Sequence, residues 1–381
     1  MTKHIHWWEF PLDLTSIKLE KNFKEKFFKK SEEYFSTTGK IALFLQKKSK
    51  LYSKNITSDY RIVWYYKKKA EYIPAWVIYE IAKKINFKLS EIEKYIKSYV
   101  STYGRLYGYK PKLPVIVTPE FISIAIHMMC DGSVAKKNFF YYQKGKIGLE
   151  RFKRLIQNVF GGYEIKEYKR GCYIPALFSE VITRYLNVDT YLSAKCRIPK
   201  KIMNGDKQVK IATLLAVLHD DGNVSGRVRL LSSNRNFAYD LKSIMESLNY
   251  QCTVSIFKRK GKMKGDHYAL YLSANSLKKF AKDCEELIIK FSDMHIGRKL
   301  NEIKNIIRIN NRKWKQRRKF KTKDIILESL TRGPKTVYEL REIVNINLWT
   351  TYHHLQQLMR KNRVKKFKSG KSYKYTLTRQ L

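Results

Sequence analysis

The chain has 381 residues, with 78 Lys+Arg against 33 Asp+Glu and a formal net charge of +45. Solubility alone is served by far less, so the excess points to a large polyanion, and with 27 Tyr, 19 Phe and 6 Trp available for stacking the natural candidate is nucleic acid. No apolar run reaches the length of roughly 18 residues that a bilayer requires. The opening Met1 to Trp8 has no signal-peptide core either, so a soluble cytoplasmic, nucleoid-associated monomer is expected. Cys130, Cys172, Cys196, Cys252 and Cys284 are dispersed without a CxxC pair, which argues against a disulfide framework or a thiolate metal site.

Residues 1–112 read as a helical N-terminal domain. A basic helix is expected around Leu19 to Lys29 and another segment near Gly39 to Lys48. The basic aromatic stretch Arg61 to Lys69 precedes a helix from Ile73 to Lys84, with Pro74 in its first turn, and a second from Leu89 with Ser90 as N-cap. Two short helices on a tight connection suggest a DNA-binding helix-turn-helix-like unit, which ordinary helix packing would also explain. Gly104 to Pro119, with its three prolines, reads as a linker.

From Thr118 to about Lys290 the chain repeats itself. Two apolar runs, Ile124 to Gly132 and Leu214 to Gly222, each end in Asp-Gly, at Asp131-Gly132 and Asp221-Gly222. A run apolar all round at helical period means burial on most faces, and a Gly after it suits the helix end. A carboxylate there faces the negative end of the helix dipole, and two brought together repel, so a positive charge between them is expected. After Gly132 the expected order is a strand at Asn138 to Gln143, a helix from Leu149 to Phe160, strands at Tyr163 to Tyr168 and Cys172 to Pro175, and a helix from Leu177 to Leu186. After Gly222 a strand at Val228 to Ser232, a helix from Phe237 to Leu248, strands at Thr253 to Arg259 and Tyr268 to Ser273, and a helix from Leu277 to Ile289 fill the same slots. The expected fold is α+β, two α-β-β-α-β-β-α halves over 113–205 and 206–310 related by a pseudo-twofold axis.

A basic linker comes next over 311–322, then a last domain over 323–381. Its helices run from Lys323 to Leu330, from the N-cap Thr336 through Val344, and from Leu348 or Trp349 to near Asn362. A hairpin from Val364 to Leu377 closes it. The order matches a winged helix-turn-helix, with Thr350, Thr351, His353, His354 and Gln357 on the recognition-type helix; such wings also serve protein contacts.

The paired Asp-Gly segments within matched repeats resemble the LAGLIDADG homing endonucleases in their single-chain form. The resemblance implies that the motif helices form the seam between halves, that each four-stranded sheet lies in a DNA major groove, and that the two acids at the helix ends hold divalent metal. By position the acids are Asp131 and Asp221, with Gly132 and Gly222 beside the metal, and the cofactor is Mg²⁺ or Mn²⁺. Small residues are usual at the third and seventh motif positions; here Ile126 and Asp220 depart from that pattern. Asp220 is expected to reach solvent, with a second metal ligand as the alternative, and His127 and His219 to be core or DNA-facing rather than metal-binding. Basic helpers are expected at Lys195 or Arg197 in the first half and Lys299 in the second. Base contacts are expected from alternate strand residues, for which Gln143, Lys144, Lys166, Lys169, Arg227, Arg229 and Lys258 are suitable types.

The main expectation is a site-specific endonuclease cutting double-stranded DNA, one phosphodiester on each strand. A non-catalytic transcriptional regulator on the same fold and an RNA-splicing maturase, with RNA as partner, are the alternatives. Neither an N-terminal nucleophile nor a C-terminal His-Asn is present, so a free-standing protein is expected rather than an intein.

Overall fold

The computed structural model describes residues 3–101, 107–135, 138–143, 145–163, 165, 167–168, 170–258, 266–310, 319–370 and 372–378. The chain is mixed α+β and divides into two compact units, Met1–Ile307 and Arg308–Leu381.

The first unit begins with β1 (His4–Ile5), β2 (Thr15–Leu19), α1 (Lys21–Phe35), α2 (Thr38–Ser49), α3 (Tyr60–Lys68), β3 (Ile73–Pro74), α4 (Ala75–Lys84), α5 (Leu89–Lys94), β4 (Ile96–Ser101), β5 (Tyr107–Pro111) and β6 (Val115–Ile116). Arg61 to Lys68 is helical, because Asp59 caps α3 by accepting the Arg61 amide at 2.8 Å. α4 buries Trp76, Val77, Ile78, Ile81 and Ala82, and α5 starts at Leu89 with no side-chain cap, so Ser90 does not cap it. The expected linker is also structured in part. β5 pairs with β4 and with β9 (Gly161–Tyr163), so the five-stranded sheet in order β3-β2-β4-β5-β9 ties the N-terminal segment to residues 161–163. Tyr99 Oη donates to the Phe160 carbonyl at 2.9 Å, and the Phe160 and Phe178 rings stack at 4.1 Å across the same core.

Next come α6 (Pro119–Cys130), β7 (Gly132–Ala135), β8 (Asn138–Tyr142), α7 (Lys146–Phe160), β10 (Glu167–Tyr168), β11 (Gly171–Ile174), α8 (Ala176–Leu186) and α9 (Lys200–Met203). After them run α10 (Lys207–Asp220), β12 (Gly222–Val224), β13 (Val228–Ser232), α11 (Arg235–Ser247), β14 (Cys252–Lys258), β15 (Asp266–Leu272), α12 (Ala274–Lys290) and α13 (Arg298–Asn310). The strands form two antiparallel four-stranded sheets, ordered β10-β11-β8-β7 and β12-β13-β15-β14. Numbered along the chain after each Asp-Gly, both read first, second, fourth, third. One face of each sheet is core, carrying Phe139, Tyr141, Cys172 and Ile174 in one and Val228, Leu230, Leu270 and Leu272 in the other.

The second unit holds α14 (Lys319–Thr331), β16 (Lys335–Thr336), α15 (Val337–Val344), α16 (Leu348–Arg360), β17 (Val364–Ser369) and β18 (Ser372–Leu377). Thr336 and Glu339 form a reciprocal capping box at the start of α15. Ile326, Leu340, Val344, Leu355, Leu358, Val364 and Tyr375 make a core separate from that of the first unit.

Candidate functional site

The site is built on the ends of α6 and α10, which pack against each other. Thr118 caps α6, with Pro119 in its first turn, and Asp206 caps α10. Both helices end alike. The Asp131 amide donates to the His127 carbonyl at 3.1 Å, and the Asp221 amide to that of Val217 at 2.9 Å. The two residues have nearly the same backbone angles, φ −105 and ψ 14 against φ −100 and ψ 0. Gly132 and Gly222 come next because the strand must leave hard against the helix. A Cβ would lie 2.1 Å from the Met128 carbonyl oxygen in one case and 2.4 Å from that of Leu218 in the other.

Cys130, Asp131, Asp220 and Asp221 share one patch of the seam. The Cys130 thiol hydrogen-bonds the Asp221 carboxylate, and burial together with the charges of Asp221, Asp220 and Asp131 pushes the thiol well above its ordinary pKa. Burial and the negative charge of Asp220 push the Asp221 carboxyl up to about 6. A carboxylate held in such an excess of negative charge is the kind of group that gains most from a cation. A cavity of about 250 Å³ opens beside it, lined among others by Cys130, Ser193, Cys196, Asp221, Ser232 and His267.

The positive charge that these helix ends call for is Lys299. Its ammonium donates to the carbonyls of Leu218 at 2.7 Å, His219 at 2.8 Å and Gly222 at 2.9 Å, capping α10. Burial lowers its pKa, against the raising influence of the Asp220 charge. All three of its protons are committed, so it offers charge and no proton acceptor. Gly222 spends its carbonyl on this contact.

Asp220 does not reach solvent. Its side chain is 0% exposed and accepts from His127 Nδ1 at 2.7 Å, His219 Nδ1 at 2.8 Å and Tyr141 Oη at 2.8 Å. Arg151 of α7, itself buried, contacts His127 Nε2 at 3.2 Å and donates to the His295 carbonyl at 2.7 Å. A guanidinium can only donate, so Nε2 is the acceptor and Nδ1 carries the proton; His127 is a neutral bridge between Arg151⁺ and Asp220⁻. Burial lowers the pKa of both histidines, His219 to about 4. Burial would raise the Asp220 carboxyl, but the two imidazoles outweigh it and hold it well below the usual range. His127, His219 and Asp220 each place a ligand atom within 4.8 Å of the others, yet the nitrogens facing Asp220 are hydrogen-bond donors, which suits a proton-filled network rather than a metal.

The other expected residues scatter. Arg197 is paired bidentately with Asp240 at 2.8 and 2.6 Å, whereas Lys195 is exposed in the turn between Ser193 and Cys196, two residues lining the cavity. Gln143 turns inward, its amide 3.2 Å from Tyr141 Oη. Arg229 lies in the row Asn223, Arg229, Tyr271, Thr253 that crosses the second sheet on the face away from its core. Arg227 is exposed, 5.8 Å from the Tyr271 ring, and Lys258 is exposed at the end of β14. Lys144, Lys166 and Lys169 lie outside the described residues. The open face of the first sheet is instead aromatic, with Phe140, Tyr142, Tyr168 and Tyr173 in edge contact. On α16, Thr351 and His354 turn into the core with Leu355 and Leu358, because they fall on the same helical stripe. Thr350 is half-buried, and Trp349, Tyr352, His353 and Arg360 are exposed. Sequence reasoning missed Arg151 and Tyr141, whose neighbours Phe152 and Tyr142 gave no sign of a buried charge network.

No family model matches the chain, and no curated protein matches it. Among solved structures it is weakly similar to mesophilic variants of the homing endonuclease I-DmoI, at TM-score 0.32 and 15% identity over 44% of this chain and 96% of that one. I-DmoI in complex with DNA and Mn matches at TM-score 0.32 and 15% identity, covering 44% and 97%. Full-length DUF199/WhiA from Thermatoga maritima matches at TM-score 0.33 and 14% identity, covering 64% and 90%. Among the described residues no helix is long and apolar enough to cross a membrane.

Proposed function

We propose that the chain is a site-specific endonuclease that cuts both strands of double-stranded DNA, with Asp131 and Asp221 holding Mg²⁺ or Mn²⁺. The observation that carries the proposal is the matched pair of helix ends, two acids in one backbone conformation at a shared seam, with one carboxyl pushed up to about 6 by burial and charge. The common strand order of the two sheets supports reading the halves as a pseudo-twofold pair, each sheet spanning a major groove. Asp131 and Asp221 offer the hard oxygen donors that such ions take, and a bound ion would supply Lewis acidity at the scissile phosphate and an activated water. Lys299 offsets charge at the α10 end, and Lys195, exposed beside the cavity, is the basic residue placed to meet a phosphate. The second unit acts as a winged helix on DNA through the exposed face of α16 and the Lys-rich strand Val364–Ser369.

One observation favours a non-catalytic DNA-binding regulator instead: Arg197 and Lys299, two of the three expected helpers, are already engaged. Incubation of a DNA library with Mg²⁺ decides between them. The expected outcome is cutting by the wild type, with binding but no cutting by Asp131→Asn and Asp221→Asn. Binding without cutting by all three proteins establishes the regulator.

A further inference from the structure

Helix α3 carries a surface that the catalytic reading leaves unused. Tyr60, Trp64 and Tyr65 are 58%, 46% and 51% exposed, and Arg61 and Lys68 are exposed with them. At 3.6 residues per turn these five fall within an arc of about 140° on one side of the helix. The opposite side is fixed. Val63 and Tyr66 are buried, Lys67 Nζ holds Glu32 of α1 at 2.6 Å, and Asp59 caps the first turn and accepts from Arg61 Nε at 2.6 Å. The rings are therefore presented by an anchored element and are not the frayed edge of the core.

Three neighbouring aromatic rings left in water forgo burial that aromatic residues ordinarily use. Their company decides what they suit. From Tyr60 to Ala70 there is no acidic residue and four basic ones, and the Lys69 ammonium lies 5.2 Å from the Trp64 ring centroid. Aromatic faces stack on bases and the cations meet phosphates, the pairing used on strands whose bases are unstacked. A duplex covers its base faces, so these rings would gain little from one. A lipid surface suits them less, because the exposed arc contains no aliphatic side chain to enter a bilayer.

We infer that α3 is a binding face for unpaired nucleic acid, taking bases on Tyr60, Trp64 and Tyr65 and phosphates on the exposed Lys68 and Lys69. α3 packs on α2 and α1, and the inference does not depend on whether the chain cuts DNA. The test is fluorescence anisotropy of the full chain with labelled single strands of about 12 nucleotides, as RNA and as DNA, and with the duplex of the same sequence. Trp64→Ala and Tyr65→Ala should each weaken single-strand binding by about tenfold or more while duplex binding stays within about twofold. Trp64→Phe should restore most of the loss, and Lys68→Ala should flatten the salt dependence. The RNA and DNA arms show which sugar the face prefers. Unchanged single-strand affinity in both ring variants overturns the inference, as does an equal loss on the duplex. Binding to anionic phospholipid vesicles that Trp64→Ala abolishes, with nucleic acid unaffected, overturns it in favour of a membrane.

Discussion

Asp220 and Asp221 are adjacent and have opposite electrostatics. Asp220 is surrounded by donors and stays ionised, whereas Asp221 is left beside that charge and is pushed up to about 6 from an ordinary 3.8. Between those two values the folded chain keeps a proton that the unfolded chain has lost, so this group makes stability fall as pH rises, by about 3 kcal/mol in all. His219, lowered to about 4 from 6.5, acts in the opposite sense: the unfolded chain binds its proton first, so stability rises with pH through that window. In metal-free buffer the two slopes oppose each other. Asp221→Asn removes the falling one, so thermal melts from pH 4 to pH 6.5 should show a steeper rise for the variant than for the wild type. Equal slopes would mean that Asp221 titrates as an ordinary carboxylate. Asp220→Ala should cost about 3–5 kcal/mol in urea unfolding, because it takes a buried carboxylate away from the buried charge of Arg151; a loss below about 1 kcal/mol would show that the network contributes little.

At the scale of elements, α6 and α10 matter through how abruptly they end. Gly132 and Gly222 let a strand turn out against the last helical carbonyls, leaving Asp131 and Asp221 at the two helix ends with nearly the same backbone angles. Gly222→Ala must displace backbone rather than a flexible side chain. It should destabilise the first unit by more than the roughly 1 kcal/mol usual for a point substitution, with a matching loss of DNA cutting. A stable variant with unchanged activity would show that the close approach is dispensable. Much of this level was legible in the sequence. The slots for β13, α15 and the β17–β18 hairpin came from periodicity and turn residues, and Thr336 caps α15 as expected, where the structure adds its box with Glu339. The failures have a common cause. Thr351 and His354 look like reading residues because they are polar, yet their phase on α16 matches Leu355 and Leu358, and phase decides burial. Ser90 has the right type for a cap, but α5 begins one residue earlier.

For the whole molecule, charge and repetition along the chain were enough to determine a basic, mixed α+β protein with two Asp-Gly motifs in matched surroundings, because these are properties of local order and composition. What tertiary structure decided is who meets whom across long separations. Asp220 looks like a solvent-seeking misfit at a helix seam until His127, Tyr141 and Arg151 arrive from other elements to satisfy it. Arg197 looks like a free helper until Asp240 takes it, and Lys299 is a helper until three carbonyls do. A short sequence motif states which groups are available. Desolvation and hydrogen-bond partners supplied by distant segments determine which charges remain usable, and those exist only once the chain is folded.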